Sequence, residues 1–221
     1  MDLRATNYDA PAGDAPAGDA PAGDAPDTPD ASAGDGPGRR ADDVTQIARI
    51  QLLLDRFPLV SNHPDVSGLL RDGRAFAALG PALAGAFTDR GVTAVCAPEA
   101  RGPILGALVA RELGVGLILV RKAERNHPGA DLHYSVGPTW RGTTEAFQAR
   151  SSDLHPTDVV LAVDDWVTTG STLRGIRDLV ESSGADYAGA SVLVNKATDD
   201  LIADLKVTPL LGFDQVMARK T

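Results

Sequence analysis

Two spacings of apolar residues alternate along the chain from about residue 41 onward. Short runs of almost entirely apolar residues, such as VTAVCA at 92–97 and VVLAV at 159–163, predict strands buried on both faces. The segments between them carry apolar residues three and four positions apart, which predicts amphipathic helices. Alternating strands and helices of this kind indicate an α/β domain with a mostly parallel sheet covered on both sides.

Capping residues mark where the helices should begin and end. Asp42 or Asp43 would cap the first helix, over 42–57, and Asp72 would cap the second. Pro81 would kink or interrupt the second helix, because proline lacks the backbone N–H that a helix interior needs. Glycines are expected to close the second helix and the two that follow, at Gly91, Gly114 and Gly184.

Further strands are predicted at 115–122, 187–195 and 208–213. Residues 123–157 show no strong period, and we expect no regular element there. The first forty residues are different again, because PAGDA repeats there and offers almost nothing that a core could bury. Such a composition cannot offset the entropy of ordering, so 1–40 is expected to be a disordered tail that either solubilises the protein or binds a partner. The folded domain would then span 41–221.

Charge and composition exclude several classes of function. The formal net charge is −9 and no basic stripe is present, so nucleic acid is not expected as a partner. No apolar run approaches the ~20 residues of a membrane span, so no membrane is expected either. The single cysteine, Cys96, excludes an intramolecular disulfide and should pack as a small apolar residue, which fits a reducing cytoplasm. The four histidines show no metal-ligand spacing, and no role is assigned to them.

Polar clusters follow three of the predicted strands: PEARG at 98–102, RK at 121–122 and DDWVTTGST at 164–172. In a parallel sheet, the carboxyl ends of the strands meet at one edge, where α/β folds bind their ligands. We therefore expect the three clusters to lie close together. The same sequence lacks GxxxxGK[ST], so a P-loop nucleotide site is not expected.

The third cluster combines two carboxylates with a small hydroxylated loop. Neighbouring residues of a strand point to opposite sides, so Asp164 and Asp165 make a simple acid–base pair only if the strand ends between them. They could instead accept hydrogen bonds from sugar hydroxyls or hold a hydrated Mg²⁺. The loop 168–172 opens a helix, whose free N–H groups suit a phosphate, and Gly170 lets the backbone approach closely. The alternative is that Asp165 or Ser171 merely caps the helix.

The other two clusters are cationic. Arg101 lies at a predicted helix N-terminus, whereas Arg121 and Lys122 end the next strand and Arg125 follows them. These cations could be no more than a solvated basic strand end. Taken with two helix N-termini, they suit a substrate that carries more than one phosphate, and such a substrate usually brings Mg²⁺.

These motifs resemble those of a known family. AVDDWVTTGST at 162–172 resembles the signature with which type I phosphoribosyltransferases bind 5-phosphoribosyl-1-pyrophosphate (PRPP). Residues 97–122 are similar to the pyrophosphate-loop region of adenine phosphoribosyltransferases, and a weaker similarity covers 57–83. The resemblance extends over about 45–200. It implies an α/β fold of the type I phosphoribosyltransferase kind, with a mostly parallel central sheet flanked by helices, a small hood and a mobile flap at about 123–150.

The resemblance also implies roles for single residues. Asp164 and Asp165 would hold the ribose hydroxyls, with Mg²⁺ bound nearby through the substrate, and Trp166 and Val167 would pack on the acceptor base. The family often has a cis peptide in its pyrophosphate loop, at 99–102 here. The implied PRPP-binding residues are Glu99, Ala100, Arg101, Gly102, Arg121, Lys122, Arg125, Asp164, Asp165, Thr168, Thr169, Gly170, Ser171 and Thr172.

The implied reaction is the Mg²⁺-dependent transfer of the 5-phosphoribosyl group from PRPP to a nitrogenous, purine-like base, with adenine as the first candidate. Arg101 and Lys122 would stabilise the departing pyrophosphate. Glu145 is a candidate for the carboxylate that assists the acceptor, although the expected place falls near Arg141. The family also implies a homodimer.

Three departures leave an alternative open. The flap lacks the usual glutamate-tyrosine-glycine element, HPD at 63–65 stands where FRD is common, and Trp166 stands where a smaller aliphatic residue is usual. The chain could therefore be a regulator that binds PRPP without turnover, or a transferase for a specialised acceptor.

Overall fold

The computed structural model describes residues 37–137 and 144–218. The expected tail up to residue 36 and the centre of the expected flap, 138–143, lie outside the described residues, as do 219–221. The described part opens with a helical and hairpin region that precedes the main sheet. In chain order its elements are α1 (Pro37–Arg56), β1 (Leu59–Val60), β2 (His63–Pro64), α2 (Val66–Arg71), α3 (Gly73–Ala84) and a 3₁₀ turn (Gly85–Phe87).

The rest of the described chain alternates strands and helices. Its strands are β3 (Ala94–Pro98), β4 (Gly116–Lys122), β5 (Leu132–Val136), β6 (Glu145–Ala149), β7 (Val159–Val167), β8 (Asp186–Asn195) and β9 (Val207–Gly212). Its helices are α4 (Gly102–Leu113), α5 (Ser171–Ser182), α6 (Asp199–Asp204) and α7 (Phe213–Ala218), with a 3₁₀ turn at Ser151–Asp153.

The seven strands β3 to β9 form one sheet in the order β5-β6-β4-β3-β7-β8-β9. The five strands from β4 to β9 in this order pair in parallel, whereas β6 is antiparallel to both β4 and β5. The expected mostly parallel sheet is therefore confirmed. A parallel sheet of this kind must be covered on both faces, and two core clusters do so.

One core cluster packs α1, α3 and α4 against one face, with Leu79, Leu105 and Leu161 fully buried in it. The other packs α5 against the opposite face, around Ile176. Cys96 is fully buried in this second cluster, and burial raises the pKa of its thiol to about 12, so it packs as the small apolar residue expected.

Helix bounds differ from the prediction at the amino-terminal end. Helix α1 begins at Pro37, so residues 37–40, which were expected to belong to the tail, are part of this helix and the expected boundary at residue 41 is wrong. Asp42 and Asp43 lie inside the helix, so the expected cap there is wrong as well. The apolar stripe also extends beyond the core, because Val44 and Ile47 remain about two-thirds exposed. Asp72 is confirmed as the cap of α3, since its side chain accepts hydrogen bonds from two backbone N–H groups of the first turn.

The carboxyl ends of the next three long helices agree only in part with the prediction. Pro81 lies inside α3 and does not interrupt it, and the α-helix ends at Ala84 rather than at Gly91. Gly114 does cap α4 in a left-handed conformation, with φ +70°, as expected. Gly184 also has a positive φ, of +84°, two residues after α5 ends.

Two further differences concern strands. The strand predicted to end at Val163 continues through the two aspartates to Val167, because Asp164, Trp166 and Val167 still pair with β8. The segment 123–157, expected to be irregular, contains the antiparallel strands β5 and β6. Within residues 37–137 and 144–218, no helix is long and apolar enough to cross a membrane.

Candidate active site

The polar clusters predicted to share one edge of the sheet do so. In the parallel register, Pro98 at the end of β3 lies beside Val120 of β4, and Val167 at the end of β7 lies beside Asn195 of β8. The carboxyl ends of these strands, and the loops that follow them, therefore meet at one edge. Two cavities open there.

The larger cavity has a volume of about 730 Å³, which suits a small-molecule site. We call it the loop cavity, because the loop 168–172 forms much of its wall. The residues predicted for the site from the sequence that line this cavity are Arg101, Glu145, Asp165, Trp166, Val167, Thr168, Thr169, Gly170, Ser171 and Thr172. Its lining residues that were not predicted are His63, Pro64, Leu173, Lys196 and Phe213.

The smaller cavity, of about 440 Å³, is the cation cavity. Its predicted lining residues are Glu99, Ala100, Arg121, Lys122 and Arg125, and Glu124 joins them. Gly102 and Asp164 line neither of these two cavities but lie close to each other. A Cβ at Gly102 would lie 2.9 Å from Pro98 Cδ and 3.4 Å from Asp164 Oδ1, so this position has no room for a side chain.

The loop 168–172 leads into an open helix N-terminus. The N-cap of α5 is Gly170, so neither Asp165 nor Ser171 caps this helix, and that alternative is wrong. The nearest side-chain acceptor is Thr169 Oγ1, at 3.5 Å from the Ser171 N–H. Uncapped N–H groups at the positive end of a twelve-residue helix form an anion site.

Gly170 is fixed by two independent constraints. Its φ of +71° is a left-handed conformation that side chains rarely adopt, and a Cβ would lie 2.9 Å from side-chain atoms of Leu201 and Leu205. The loop therefore packs against α6 and the turn after it at a residue that must be glycine.

The two aspartates at the end of β7 have different surroundings. Asp165 is buried and forms an ion pair with Arg101, through Oδ2 and Nε. The Asp164 carboxylate accepts a hydrogen bond from the Asp165 backbone N–H at 2.8 Å. Burial, and then the charge of Asp165, raise the pKa of Asp164 well above its ordinary value. The surroundings of Asp164 therefore favour its neutral form in the free protein.

Arg101 stands at the head of the second open helix. It is the N-cap residue of α4 but makes no side-chain cap. Pro103 has no N–H and the Ile104 N–H donates to the Arg101 carbonyl at 3.1 Å, so Gly102 supplies the backbone N–H of this first turn that can meet a ligand. Its side chain remains about half exposed in spite of the ion pair with Asp165. A guanidinium and a helix N-terminus at one place suit a phosphate oxygen.

Glu99 organises the cation cavity. One carboxylate oxygen accepts hydrogen bonds from the Arg121 guanidinium at 3.1 and 3.3 Å, and the other accepts the Lys122 N–H at 3.0 Å. Partial burial acts to raise the pKa of Glu99, but these hydrogen bonds outweigh it and hold that pKa below its usual value. The peptide between Glu99 and Ala100 is cis, as the resemblance implies. Arg121 also donates to the Asn126 carbonyl at 2.7 Å.

An ion pair joins the two cavities. Lys122 Nζ, from the cation cavity, lies 3.2 Å from Glu145 Oε1, from the loop cavity. The candidate carboxylate for assisting the acceptor, Glu145, is therefore held by a cation in this structure. The alternative place near Arg141 lies outside the described residues.

The acceptor side of the loop cavity is aromatic. The rings of Trp166 and Phe213 are 6.1 Å apart and tilted by 57°, and Lys196 Nζ lies 4.5 Å from the centre of the Phe213 ring. Sequence reasoning missed Lys196 and Phe213, although they follow β8 and β9, whose carboxyl ends lie on the same edge. His63, to which no role is assigned from the sequence, lies in the wall of this cavity. It is the first residue of HPD at 63–65, which stands where the family commonly has FRD.

The donor set fits a Mg²⁺ ion that arrives with a substrate. Within the described residues, no group of three or more His, Cys, Asp or Glu side chains could hold a metal ion alone. Asp164 and Asp165 supply hard oxygen donors, and a cation beside Asp164 would offset the burial and the Asp165 charge that raise its pKa. Mg²⁺ is often bound by one or two carboxylates together with substrate phosphates and waters. These two residues are thus the ones that would hold it.

The sequence profile of the Phosphoribosyl transferase domain matches residues 67–206. The chain belongs to this phosphoribosyltransferase family. Among curated relatives, the adenine phosphoribosyltransferase of Streptomyces coelicolor (strain ATCC BAA-471 / A3(2) / M145) is 42% identical over 151 residues, covering 65% of this chain and 81% of that protein. The adenine phosphoribosyltransferase of Streptomyces clavuligerus is 40% identical over 151 residues, covering 65% and 83%. The chain is therefore an enzyme of the type I, adenine phosphoribosyltransferase-like kind.

Solved structures agree on the fold of this phosphoribosyltransferase. The adenine phosphoribosyltransferase of Thermoanaerobacter pseudethanolicus superimposes with a TM-score of 0.66 at 24% identity, over 74% of this chain and 99% of that chain. The Giardia lamblia enzyme, solved with 9-deazaadenine, gives a TM-score of 0.64 at 23% identity, over 74% and 97%. The expected type I phosphoribosyltransferase fold is confirmed.

Proposed function

We propose that this phosphoribosyltransferase transfers the 5-phosphoribosyl group of PRPP to adenine and releases pyrophosphate. The observation that carries the proposal is the convergence at one sheet edge of a carboxylate pair, two uncapped helix N-termini and the cation cavity. Curated relatives at about 40% identity are adenine phosphoribosyltransferases, which supports adenine as the acceptor.

The donor would lie across both cavities. Its 5-phosphate would accept hydrogen bonds from the loop 168–172 and the first turn of α5, and the ribose hydroxyls would bind Asp164 and Asp165. Pyrophosphate would then reach the Glu99–Gly102 loop and the cations Arg101, Arg121, Lys122 and Arg125. An anion bound there must replace Asp165 and Glu145 as the partners of Arg101 and Lys122.

The chemistry would be a displacement at C1 of the ribose. The bond from C1 to the pyrophosphate oxygen breaks as a bond forms from C1 to a ring nitrogen of the base, and that nitrogen loses its proton. Arg101 and Lys122 would stabilise the negative charge on the leaving oxygen, because preorganised cations act where charge develops. Mg²⁺ carried by the pyrophosphate would add positive charge to this leaving group.

The base would lie between the ribose site and the aromatic wall of Trp166 and Phe213. Holding the ring nitrogen close to C1 accounts for much of the rate in such a reaction. Glu145 lines the same cavity, where its carboxylate could accept the proton of the ring nitrogen once Lys122 has exchanged to pyrophosphate.

The experiment is to incubate the full chain with PRPP, Mg²⁺ and adenine and to measure pyrophosphate and AMP together. We expect equal amounts of both products and no turnover when PRPP is omitted. PRPP binding by calorimetry without either product, across a panel of bases, would instead identify a regulator that binds PRPP, and would overturn the proposal.

We further infer a cytoplasmic homodimer with a separate amino-terminal tail. The buried single cysteine, Cys96, supports a reducing compartment, and the partly exposed Ile104 and Leu119 on neighbouring elements support an apolar contact between copies. Light scattering of the full chain should give twice the chain mass, and a chain that begins at Pro37 should give the same ratio and keep its activity. A monomer would contradict the homodimer.

A further inference from the structure

Arg174 holds the backbone of the loop 168–172 from outside the loop cavity. Its guanidinium nitrogen Nη1 donates to the Thr169 carbonyl at 3.0 Å, and its own backbone N–H donates to the Gly170 carbonyl at 2.9 Å. The Arg174 side chain is about half exposed and lines neither the loop cavity nor the cation cavity. Arg174 therefore acts on a ligand in the loop cavity through the loop and not by direct contact.

The hydrogen bond to the Thr169 carbonyl also orients the N–H on the other side of the same peptide. Of the peptides that the structure describes, only Glu99–Ala100 is cis, so the peptide between Thr169 and Gly170 is trans and its C=O and N–H point in opposite directions. Because the carbonyl faces Arg174, the Gly170 N–H points away from that side chain. No protein atom of residues 37–137 and 144–218 accepts a hydrogen bond from this N–H, which leaves it for a bound anion.

The position of Arg174 in α5 is unusual for a cation. The helix begins at Ser171, so Arg174 is its fourth residue and lies near the positive end of the helix dipole, where anions are favoured over cations. Asp204, at the end of α6, offsets part of this cost, because its Oδ2 lies 3.6 Å from Arg174 Nη2. Both side chains are nearly half exposed, so this ion pair contributes little to the stability of the fold. An anion held by the loop gives the cation a clearer purpose.

We propose that Arg174 is a positioning residue for the 5-phosphate of the donor, which holds the peptide between Thr169 and Gly170 so that its N–H meets the phosphate. This inference rests on the proposed phosphoribosyl transfer and adds to it a residue outside both cavities. A charged donor on the carbonyl also polarises the peptide, so the N–H on its other side becomes a stronger donor. Loss of the guanidinium should therefore weaken the binding of a 5-phosphate and leave the groups that bind pyrophosphate unchanged.

PRPP and pyrophosphate are the matched ligands, because both carry a pyrophosphate and only PRPP carries the 5-phosphate. Calorimetry with Mg²⁺ measures the dissociation constant of each ligand for the full chain, Arg174→Met and the control Arg177→Met. Arg177 lies on the same helix and binds the same carboxylate, with Nη1 3.2 Å from Asp204 Oδ1, but in the part of the chain that the structure describes it does not donate to the loop. Arg174→Met should weaken PRPP binding by roughly fivefold or more and pyrophosphate binding by less than about twofold. The control should change both by less than about twofold.

Steady-state kinetics gives a second measurement that separates positioning from a loss of stability. A phosphate that is held less well in both the ground state and the transition state raises KM for PRPP, and kcat should stay within about threefold of the wild type. A variant that was merely less stable would contain less active protein, so its apparent kcat would fall while KM for PRPP stayed the same.

The outcomes distinguish this inference from the function on which it rests. If Arg174→Met weakened PRPP and pyrophosphate equally, or weakened neither, the inference would be overturned and the phosphoribosyl transfer would stand. A loss of PRPP affinity of the same size in Arg177→Met would overturn it as well. A wild-type chain that neither bound PRPP nor released product would overturn the proposed function, and the inference with it.

Discussion

Arg101 and Asp165, 64 positions apart in the sequence, form an ion pair between the head of α4 and the end of β7. The pair links a guanidinium assigned to the leaving pyrophosphate with a carboxylate assigned to the ribose. Asp165 is buried, whereas the Arg101 side chain is about half exposed, so the arginine is the partner free to swing toward a ligand. Donor binding would therefore release both groups for their roles in one exchange.

Replacing Arg101 tests this arrangement. Arg101→Ala should lower kcat/KM for PRPP by roughly 10²- to 10³-fold, because a preorganised donor to the developing charge is lost. Steady-state kinetics at saturating adenine measures the change, and Arg111→Ala on the same helix is the matched control. A loss of less than about fivefold would show that the other cations bind the pyrophosphate without Arg101.

Glu145 is the ion-pair partner of Lys122, so replacing it should strengthen pyrophosphate binding, whereas replacing Arg101 should impair the use of PRPP. Both side chains are about one-third exposed, so the pair contributes at most about 1 kcal/mol, or fivefold in an equilibrium constant. Glu145→Gln removes the competitor for Lys122 and should tighten pyrophosphate binding by about two- to fivefold, as calorimetry would measure. The same variant should lower kcat if the Glu145 carboxylate accepts the acceptor's proton. Weaker pyrophosphate binding would contradict the competition.

The features that the sequence predicts best are those that local chemistry determines, namely the strand bounds and the residues at the strand ends. Continuous apolar runs gave β3, β4, β7 and β8 to within two residues at each end, apart from the carboxyl end of β7, and the rule that parallel strands end at one edge brought Glu99, Lys122 and Asp165 together. The carboxyl end of β7 was missed because two aspartates break the apolar run, although the backbone still pairs with β8.

What the sequence could not supply depends on contacts between distant elements. The strands β5 and β6 include exposed residues and show a weak period. Their place in the sheet depends on long-range pairing, because β6 pairs with β4 and β5 pairs with β6. Lys196 and Phe213 belong to the cavity only because β8 and β9 extend the sheet past β7. Ion pairs such as that of Arg101 with Asp165 depend on how distant elements pack together, and no sequence motif predicts them.

Gly175 in the middle of α5 lets the strand β5 of the expected flap pack closely against the helix. A Cβ there would lie 2.3 Å from Val136 Cγ1 and 2.7 Å from Tyr134 Cε2. Glycine to alanine inside a helix normally stabilises it by about 1 kcal/mol. Here Gly175→Ala should instead destabilise by about 1–3 kcal/mol through overpacking, a fall in Tm of roughly 2–12 °C.

Thermal unfolding of Gly175→Ala beside Gly73→Ala provides the comparison. Gly73 begins α3 with nothing within 4 Å of an added Cβ, so alanine there should leave Tm unchanged or raise it. If Gly175→Ala raised Tm as much as the control, β5 would not pack on α5 as closely as these distances require.

Because the pKa of Asp164 is raised, removing its charge should stabilise the ligand-free protein but weaken the binding of PRPP. Burial and the Asp165 charge make the ionised carboxyl unfavourable in the folded protein, so this group favours folding below its unfolded pKa and loses that contribution as pH rises through the folded value. Asp164→Asn keeps an oxygen that can accept the 2.8 Å hydrogen bond from the Asp165 N–H but carries no charge. Without a bound ligand, Asp164→Asn should therefore have a free energy of unfolding about 0.5–2 kcal/mol higher than that of the wild type at neutral pH. At strongly acidic pH the two free energies of unfolding should be equal.

The same substitution should impair PRPP binding, because the ionised carboxylate of Asp164 is assigned to the ribose hydroxyls and to Mg²⁺. Without the Asp164 carboxylate, PRPP binding in the presence of Mg²⁺ should weaken at least tenfold, and the wild type's own affinity for PRPP should rise with pH through the range where Asp164 ionises. Thermal unfolding across pH and calorimetry with PRPP measure the two effects separately. A variant that is less stable than the wild type at neutral pH would mean that the ionised carboxyl is stabilised in the free protein, contrary to its burial beside Asp165.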